Sequence, residues 1–282
     1  MVFIDSLQQQ LLCNAEETVN CEYSLDSGSM LAYVVPQRYS TALATVTNGD
    51  QTLIPTHPRR KLSTANGGGG VYFNSGTLAD GIHSVSFTGI DEIDRWEGVL
   101  DFCDVLDCAV EVDNETELFE NKRVLEVGFC TGLPSAFAYR RGAKSLCVYS
   151  WDMAKLDTVV KPTLHRNNVP RSLCKFFAGD FDAFKQTMGG QKFEVILAPE
   201  LINMDEGEFE RMHEMLDDVL SPQGIILFSS RSHYTACDCT GNLPAWLDLL
   251  KTKGTFDAHI RWTSPKADIA PRKMVQMTRS IR

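Results

Sequence analysis

The sequence predicts an α/β protein: a doubly wound, mostly parallel sheet with an antiparallel last strand, preceded by a β-rich N-terminal extension. Three observations predict it. From about residue 91 onward, short apolar strand-like runs alternate with amphipathic helical segments, the pattern of a parallel sheet covered by helices on both faces. The last two strand-like runs follow one helix with only a loop between them, which makes them antiparallel neighbours. Residues 1–90 break this rhythm, being poor in helical periodicity and rich in turn residues. The division is therefore an extension over 1–90 and an α/β domain over 91–282.

In the extension, Ser24-Leu-Asp-Ser-Gly28, Asn48-Gly49-Asp50, Pro55, Pro58 and the run Gly67–Gly70 punctuate β-favouring runs at Leu31–Val35, Leu43–Val46, Val71–Phe73 and Val85–Phe87. These read as hairpins or an irregular layer, with Arg59–Thr77 a mobile loop. The domain then opens on a helix over Ile93–Cys108, apolar at Ile93, Trp96, Leu100, Val105 and Leu106. Strands follow at Arg123–Val127, Ser145–Tyr149, Lys175–Ala178, Phe193–Ala198 and Gly224–Ser229. Helices lie at Leu133–Arg141, Met153–Arg166, Phe181–Met188, Glu206–Leu220 and Leu243–Lys253. Strands at Phe256–Trp262 and Lys273–Met277 close the chain.

Composition narrows the function. Against 27 Lys and Arg stand 37 Asp and Glu, a net charge of −10, which excludes nucleic-acid binding through a general basic surface and suits a basic protein partner. No apolar run reaches membrane-spanning length; Met30–Pro36 is among the longest. Asp5, Glu16, Glu17 and Glu22 precede the first basic residue, Arg38, so neither a secretory signal nor a mitochondrial presequence is expected, and the location expected is cytoplasmic or nuclear. His57-Pro-Arg-Arg-Lys61 reads as a solvated loop before a nuclear signal. The nine cysteines are scattered and mostly embedded in apolar runs, as buried thiols are in a reducing compartment. Cys237-Asp-Cys239 lacks a second pair at zinc spacing, so no metal is expected.

The sharpest motif is Val124-Leu-Glu-Val-Gly-Phe-Cys-Thr-Gly-Leu-Pro134, an apolar strand ending in an acid, a glycine turn and a helix start. Ligands of open α/β sheets sit at the carboxyl end of such a strand. Gly128, Thr131 and Gly132 let the backbone approach a ligand, and Glu126 accepts from a ligand ammonium. The dinucleotide fingerprint fails at Cys130 and Leu133, which favours S-adenosylmethionine over a nicotinamide. After the second strand, Asp152 either holds a ribose diol or caps the next helix, and Trp151 stacks on adenine. After the third, Asp180 reads as an N-cap, an acceptor from the adenine amino group, or both. Glu200 ends the fourth strand, where a carboxylate is expensive unless used. His233 alone reads as structural.

Together and in order, these residues resemble the histidine protein methyltransferases, over roughly Trp96–Trp262. Trp96-Glu97 with Leu100-Asp101 is similar to that family's entry helix, Val124–Pro134 to its cofactor loop, and Lys161-Pro162 to its second helix. Cys174-Lys-Phe-Phe-Ala-Gly-Asp-Phe181, Glu200-Leu-Ile-Asn203 and Ser230-Arg-Ser-His-Tyr234 resemble its remaining motifs. The resemblance implies the Class I methyltransferase fold, Rossmann-like and seven-stranded. It implies S-adenosylmethionine as cofactor (S-adenosylhomocysteine as product) and methylation of a protein histidine, with a basic ribosomal protein as the target class. It adds Trp96, Glu97, Gly98, Gly179 and Phe181 to the cofactor residues; with a histidine acceptor, Glu200 or Asn203 is the expected catalytic group that accepts from one ring nitrogen and aims the other. The chain departs from the family pattern at Asp91-Glu92, Cys130, Ser150, Pro199 and Asn203. The alternatives are a catalytically degenerate relative that binds a protein partner, or a methyltransferase for lysine or a small molecule.

Overall fold

Alternate residues of the central strands bury against opposite faces, and this fixes the layers. Val124, Leu146, Val148, Val195, Leu197 and Leu227 point into one core; Leu125, Cys147, Tyr149, Ile196, Ile226 and Phe228 point into the other. Both faces of the strands are apolar, so both must be covered. The computed structural model describes residues 17–37, 39, 88–234, 240–264 and 270–281, with backbone alone for 88–91.

The elements run β1 (Thr18–Ser24), β2 (Met30–Pro36), α1 (Thr88–Glu111), β3 (Arg123–Glu126), α2 (Leu133–Arg140), β4 (Ser145–Ser150) and α3 (Met153–Lys155). A π turn at Leu156–Val160 joins α3 to α4 (Lys161–Arg166). Then come β5 (Cys174–Ala178), α5 (Phe181–Met188), β6 (Phe193–Ala198), α6 (Phe209–Val219), β7 (Leu220–Arg231), α7 (Leu243–Lys253), β8 (Phe256–Thr263) and β9 (Arg272–Arg279).

Seven strands form one sheet in the order β5-β4-β3-β6-β7-β9-β8. The first five are parallel, β9 inserts antiparallel between β7 and β8, and the switch point lies between β3 and β6. This order and these directions are those of the Class I methyltransferase fold, as expected. The predicted helix over 153–166 contains a π turn, and the predicted strand over 224–229 begins earlier, at Leu220.

β1 and β2 form a separate antiparallel hairpin whose apolar residues join the first core. Asn167 clasps β2 through the Ala32 N–H and carbonyl, Thr163 accepts from the Val34 N–H at 3.1 Å, and Tyr33 packs on Trp96 with ring centres 5.7 Å apart. Ser27 in the hairpin turn donates twice to Asp107 on α1. The other expected runs of the extension, the Arg59–Thr77 loop, His57–Lys61 and Cys237-Asp-Cys239 lie outside the described residues. Among the described residues no helix is long and apolar enough to cross a membrane.

Candidate functional site

The carboxyl ends of β3, β4, β5 and β6 meet at the switch point. Gly128 begins the loop after β3 with φ of +90°, and a Cβ there would come within 2.5 Å of the Pro199 carbonyl. That carbonyl accepts from the Phe129 N–H at 2.8 Å, so the loop is laced to the end of β6. Glu126 is buried and accepts from the backbone N–H groups of Thr131, Gly132 and Ser135 at 2.9–3.0 Å. Burial raises its pKa against the pull of those donors. Three of its acceptor sites thus shape the loop, where the sequence reading expected an acceptor for a ligand ammonium. Thr131 is likewise buried, its hydroxyl accepting from the Leu133 N–H, and Gly132 opens α2 in the left-handed region.

At the ends of β4 and β5 the surface is open. Trp151 is 48% exposed and lies against buried Phe181, ring centres 4.3 Å apart. Asp152 caps α3, accepting from the Ala154 N–H at 2.8 Å; Asp180 caps α5, accepting from the Ala183 N–H at 2.8 Å. Both carboxylates remain exposed. Capping and ligand binding are compatible, because an ionised carboxylate offers about four lone-pair sites. Gly179 between them has φ of +120° and open space where a Cβ would stand.

Glu200 has a different setting. It is 2% exposed, takes φ of +52°, and its Oε1 accepts from Arg272 Nε at 2.8 Å while Oε2 accepts from the Tyr234 hydroxyl at 2.7 Å. Arg272 also donates to Asp101 and to the Asp94 carbonyl, and Arg231 pairs with Asp94. Burial opposes the charge of Asp94, but Arg231 and Arg272 draw its pKa below the ordinary value; the carboxylates around Arg272 hold that guanidinium firmly protonated. Glu200 is therefore a buried strut tying β6 to β9 and α1, not the expected acceptor-facing carboxylate. Gly98, expected at the cofactor, instead lets α1 pass over this pair: a Cβ on Gly98 would land on Glu200 Oε1. Trp96 is buried between Tyr33 and Phe129, and Glu97 is half-buried on the same helix.

Asn203 stays near the opening. It is half-buried, its Oδ1 accepts from Arg95 at 3.3 Å, and its buried Nδ2 has no partner among the described residues. The sequence reading missed Lys155, whose Nζ lies 3.2 Å from the centre of the Phe129 ring, with the Arg95 guanidinium 5.8 Å from the same ring. A single Lys in a helical run carries no sequence signal that separates it from a solvated one. Arg272, a single Arg at the start of β9, was missed likewise.

No protein-family model matches the chain. Over 263 residues it is 37% identical to the uncharacterized protein F22B7.9 of Caenorhabditis elegans, covering 93% of this chain and 94% of that protein. The chain belongs to the F22B7.9 family. This F22B7.9-family chain is also 22% identical to a histidine protein methyltransferase 1 homolog of Dictyostelium discoideum, over 51% of the chain and 47% of that protein. It is 26% identical to the Bos taurus homolog, over 41% and 38%. It thus spans less than half the length of either methyltransferase relative. Among solved structures it is similar to an O-methyltransferase family protein from Burkholderia thailandensis at 12% identity and TM-score 0.46, covering 68% of this chain and 64% of that one. It is also similar to SMU.776 complexed with SAH, at 11% identity and TM-score 0.44, covering 59% and 49%.

Proposed function

We propose that this F22B7.9-family chain is an S-adenosylmethionine-dependent protein methyltransferase that acts on a histidine ring nitrogen of a basic protein, a ribosomal protein being one such class. The observation that carries the cofactor is the open shelf at the ends of β4 and β5. It offers the face of Trp151, the space over Gly179, and the carboxylates of Asp152 and Asp180. An aromatic face and paired carboxylates are the donor set an adenosine with its ribose diol calls for. The glycine loop Gly128–Gly132 faces the same opening. The residues present therefore fit the cofactor.

When bound, the cofactor supplies a methyl group on a sulfonium sulfur. The chain's task is to place the acceptor in line with it. A neutral imidazole brings its own lone pair near pH 7 and needs no strong base, whereas a lysine must first lose a proton. The commitment of Glu200 to Arg272 and Tyr234 favours the imidazole, since it removes the nearest carboxylate from general-base work. Asn203 is then the positioning group: its Oδ1 has a second lone pair beside the Arg95 donor and accepts from the ring N–H, which turns the other nitrogen toward the methyl. The net charge of −10 favours a basic protein as the acceptor.

Calorimetry with S-adenosylhomocysteine tests the cofactor, and mass spectrometry of lysate proteins incubated with the enzyme tests the acceptor. Heat of binding with methylhistidine in the products supports the reading; methyllysine alone overturns the acceptor. A second reading, a non-catalytic protein-binding relative, is favoured by the packing of Phe129, Cys130 and Lys155 over the loop. Absence of binding heat selects it.

A further inference from the structure

Lys155 is a partly buried cation with no hydrogen bond or ion pair to any described residue. It ends α3, at the first residue before the π turn Leu156–Val160, and its ammonium rests on the Phe129 ring in the loop after β3. Arg95, from α1, faces the same ring. Two cations from two elements thus converge on the loop at the switch point. An ammonium drawn out of water loses more in hydration than a ring face returns. Such a site is poised for an anion.

We propose that Lys155 is the binding residue for the carboxylate of the amino-acid tail of S-adenosylmethionine and S-adenosylhomocysteine, with Arg95 adding positive potential. This rests on the cofactor reading above and extends it from the adenosine shelf to the opposite end of the ligand. The division of labour follows the chemistry of the two ends. The shelf at Trp151, Asp152 and Asp180 is aromatic and anionic, suited to a nucleoside and hostile to a carboxylate. At the loop end the cations Lys155 and Arg95 stand beside the acid Glu92. The charged and titratable groups facing Lys155 are Glu92 and Arg95 from α1, Cys130 from the loop and Asp152 from its own helix. Burial draws the Lys155 pKa down to about 8, Glu92 and Cys130 working against it. Its charge, and with it the carboxylate contact, is therefore lost as pH rises through about 8.

The test compares S-adenosylhomocysteine with 5′-methylthioadenosine, which keeps the nucleoside and the sulfur but lacks the amino-acid tail. Calorimetry is run on the full chain and on Lys155→Met and Lys155→Arg. Wild type is expected to bind S-adenosylhomocysteine the more tightly. Lys155→Met is expected to weaken it by about tenfold or more, the worth of one charge-assisted contact, with no change for 5′-methylthioadenosine. The unchanged nucleoside affinity shows that the variant is folded. Lys155→Arg retains the discrimination and removes the decline above pH 8. Equal or tighter binding of S-adenosylhomocysteine by Lys155→Met overturns the inference while leaving the cofactor reading intact. No binding of either compound to wild type overturns both.

Discussion

Glu200 Oε1 and Arg272 Nε lie 2.8 Å apart, both side chains almost fully buried, directly beneath Gly98 of α1. The pair joins the end of β6, the start of β9 and the entry helix in one contact. Substitutions around it are read more plainly as structure than as chemistry.

Gly98→Ala reverses the usual sign of its substitution class. Alanine in a helix interior normally stabilises by roughly 0.5–1 kcal/mol over glycine. Here the added Cβ would meet Glu200 Oε1 and stand 2.9 Å from Arg272 Nε, so the variant should lose about 1–3 kcal/mol. Urea unfolding followed by circular dichroism measures it.

Arg272→Met leaves buried Glu200 without its cation, while Asp94 keeps Arg231. Removing one partner of a buried pair costs about 3–5 kcal/mol. The double variant Glu200→Gln/Arg272→Met should recover part of the loss, because no full carboxylate is then left at Glu200. The chemical-denaturation midpoints of the three proteins decide this.

Asp104 on α1 accepts from the Tyr23 hydroxyl of the hairpin, while its Oδ1 has no hydrogen-bond partner among the described residues. Burial pushes its carboxyl up to about 7; the Tyr23 hydrogen bond opposes this, and Asp26, Asp101 and Asp107 add to it. A folded pKa above the unfolded value means that Asp104 contributes stability fully below about pH 4 and loses it as pH rises to 7. Asp104→Asn should match wild type near pH 4 and exceed its melting temperature increasingly up to pH 7. A series of thermal melts across that range tests it.

His213 on α6 runs the other way. It is buried against Phe256, and neither ring nitrogen has a hydrogen-bond partner among the described residues. Burial draws its pKa below the ordinary 6.5, with Asp217, Glu214 and Glu210 opposing and Lys253 assisting. The folded state resists the proton, so His213 costs stability as pH falls below about 6.5. The difference in melting temperature between His213→Leu and wild type should widen from pH 7 to pH 5.

Asn203→Ala separates positioning from binding. Under the proposed role turnover should fall by roughly tenfold or more with the affinity for S-adenosylhomocysteine unchanged, since the spare lone pair of Oδ1 is assigned to the acceptor ring and the buried Nδ2 to neither ligand. Equal loss of both would make Asn203 part of the cofactor site.

The sheet was legible because strand alternation and helix spacing are local. Phe181–Met188, Phe193–Ala198 and Leu243–Lys253 fall on the predicted bounds, the first helix announced by its cap, Asp180. The caps were also the ambiguous residues. Asp152 and Asp180 do bond their own helix starts, and one residue type serves cap and ligand alike. Glu126 and Glu200 show the limit of reasoning from a strand-end acid. Both are buried acids, as the expense of such a position requires, but the groups that justify them are loop amides in one case and Arg272, 72 residues away, in the other.

By itself the sequence determined the order of strands and helices, the acidic balance that points to a basic partner, and the four loops that meet at the switch point. These follow from periodicity and composition, which act over a few residues. Only the tertiary structure decided which side chains in those loops face outward. Gly98 lies inward because α1 packs over a buried ion pair, Trp96 because it packs between Tyr33 and Phe129, and Lys155 was brought onto Phe129 by two elements whose meeting no local pattern encodes. Long-range packing and the cost of burying charge made those choices.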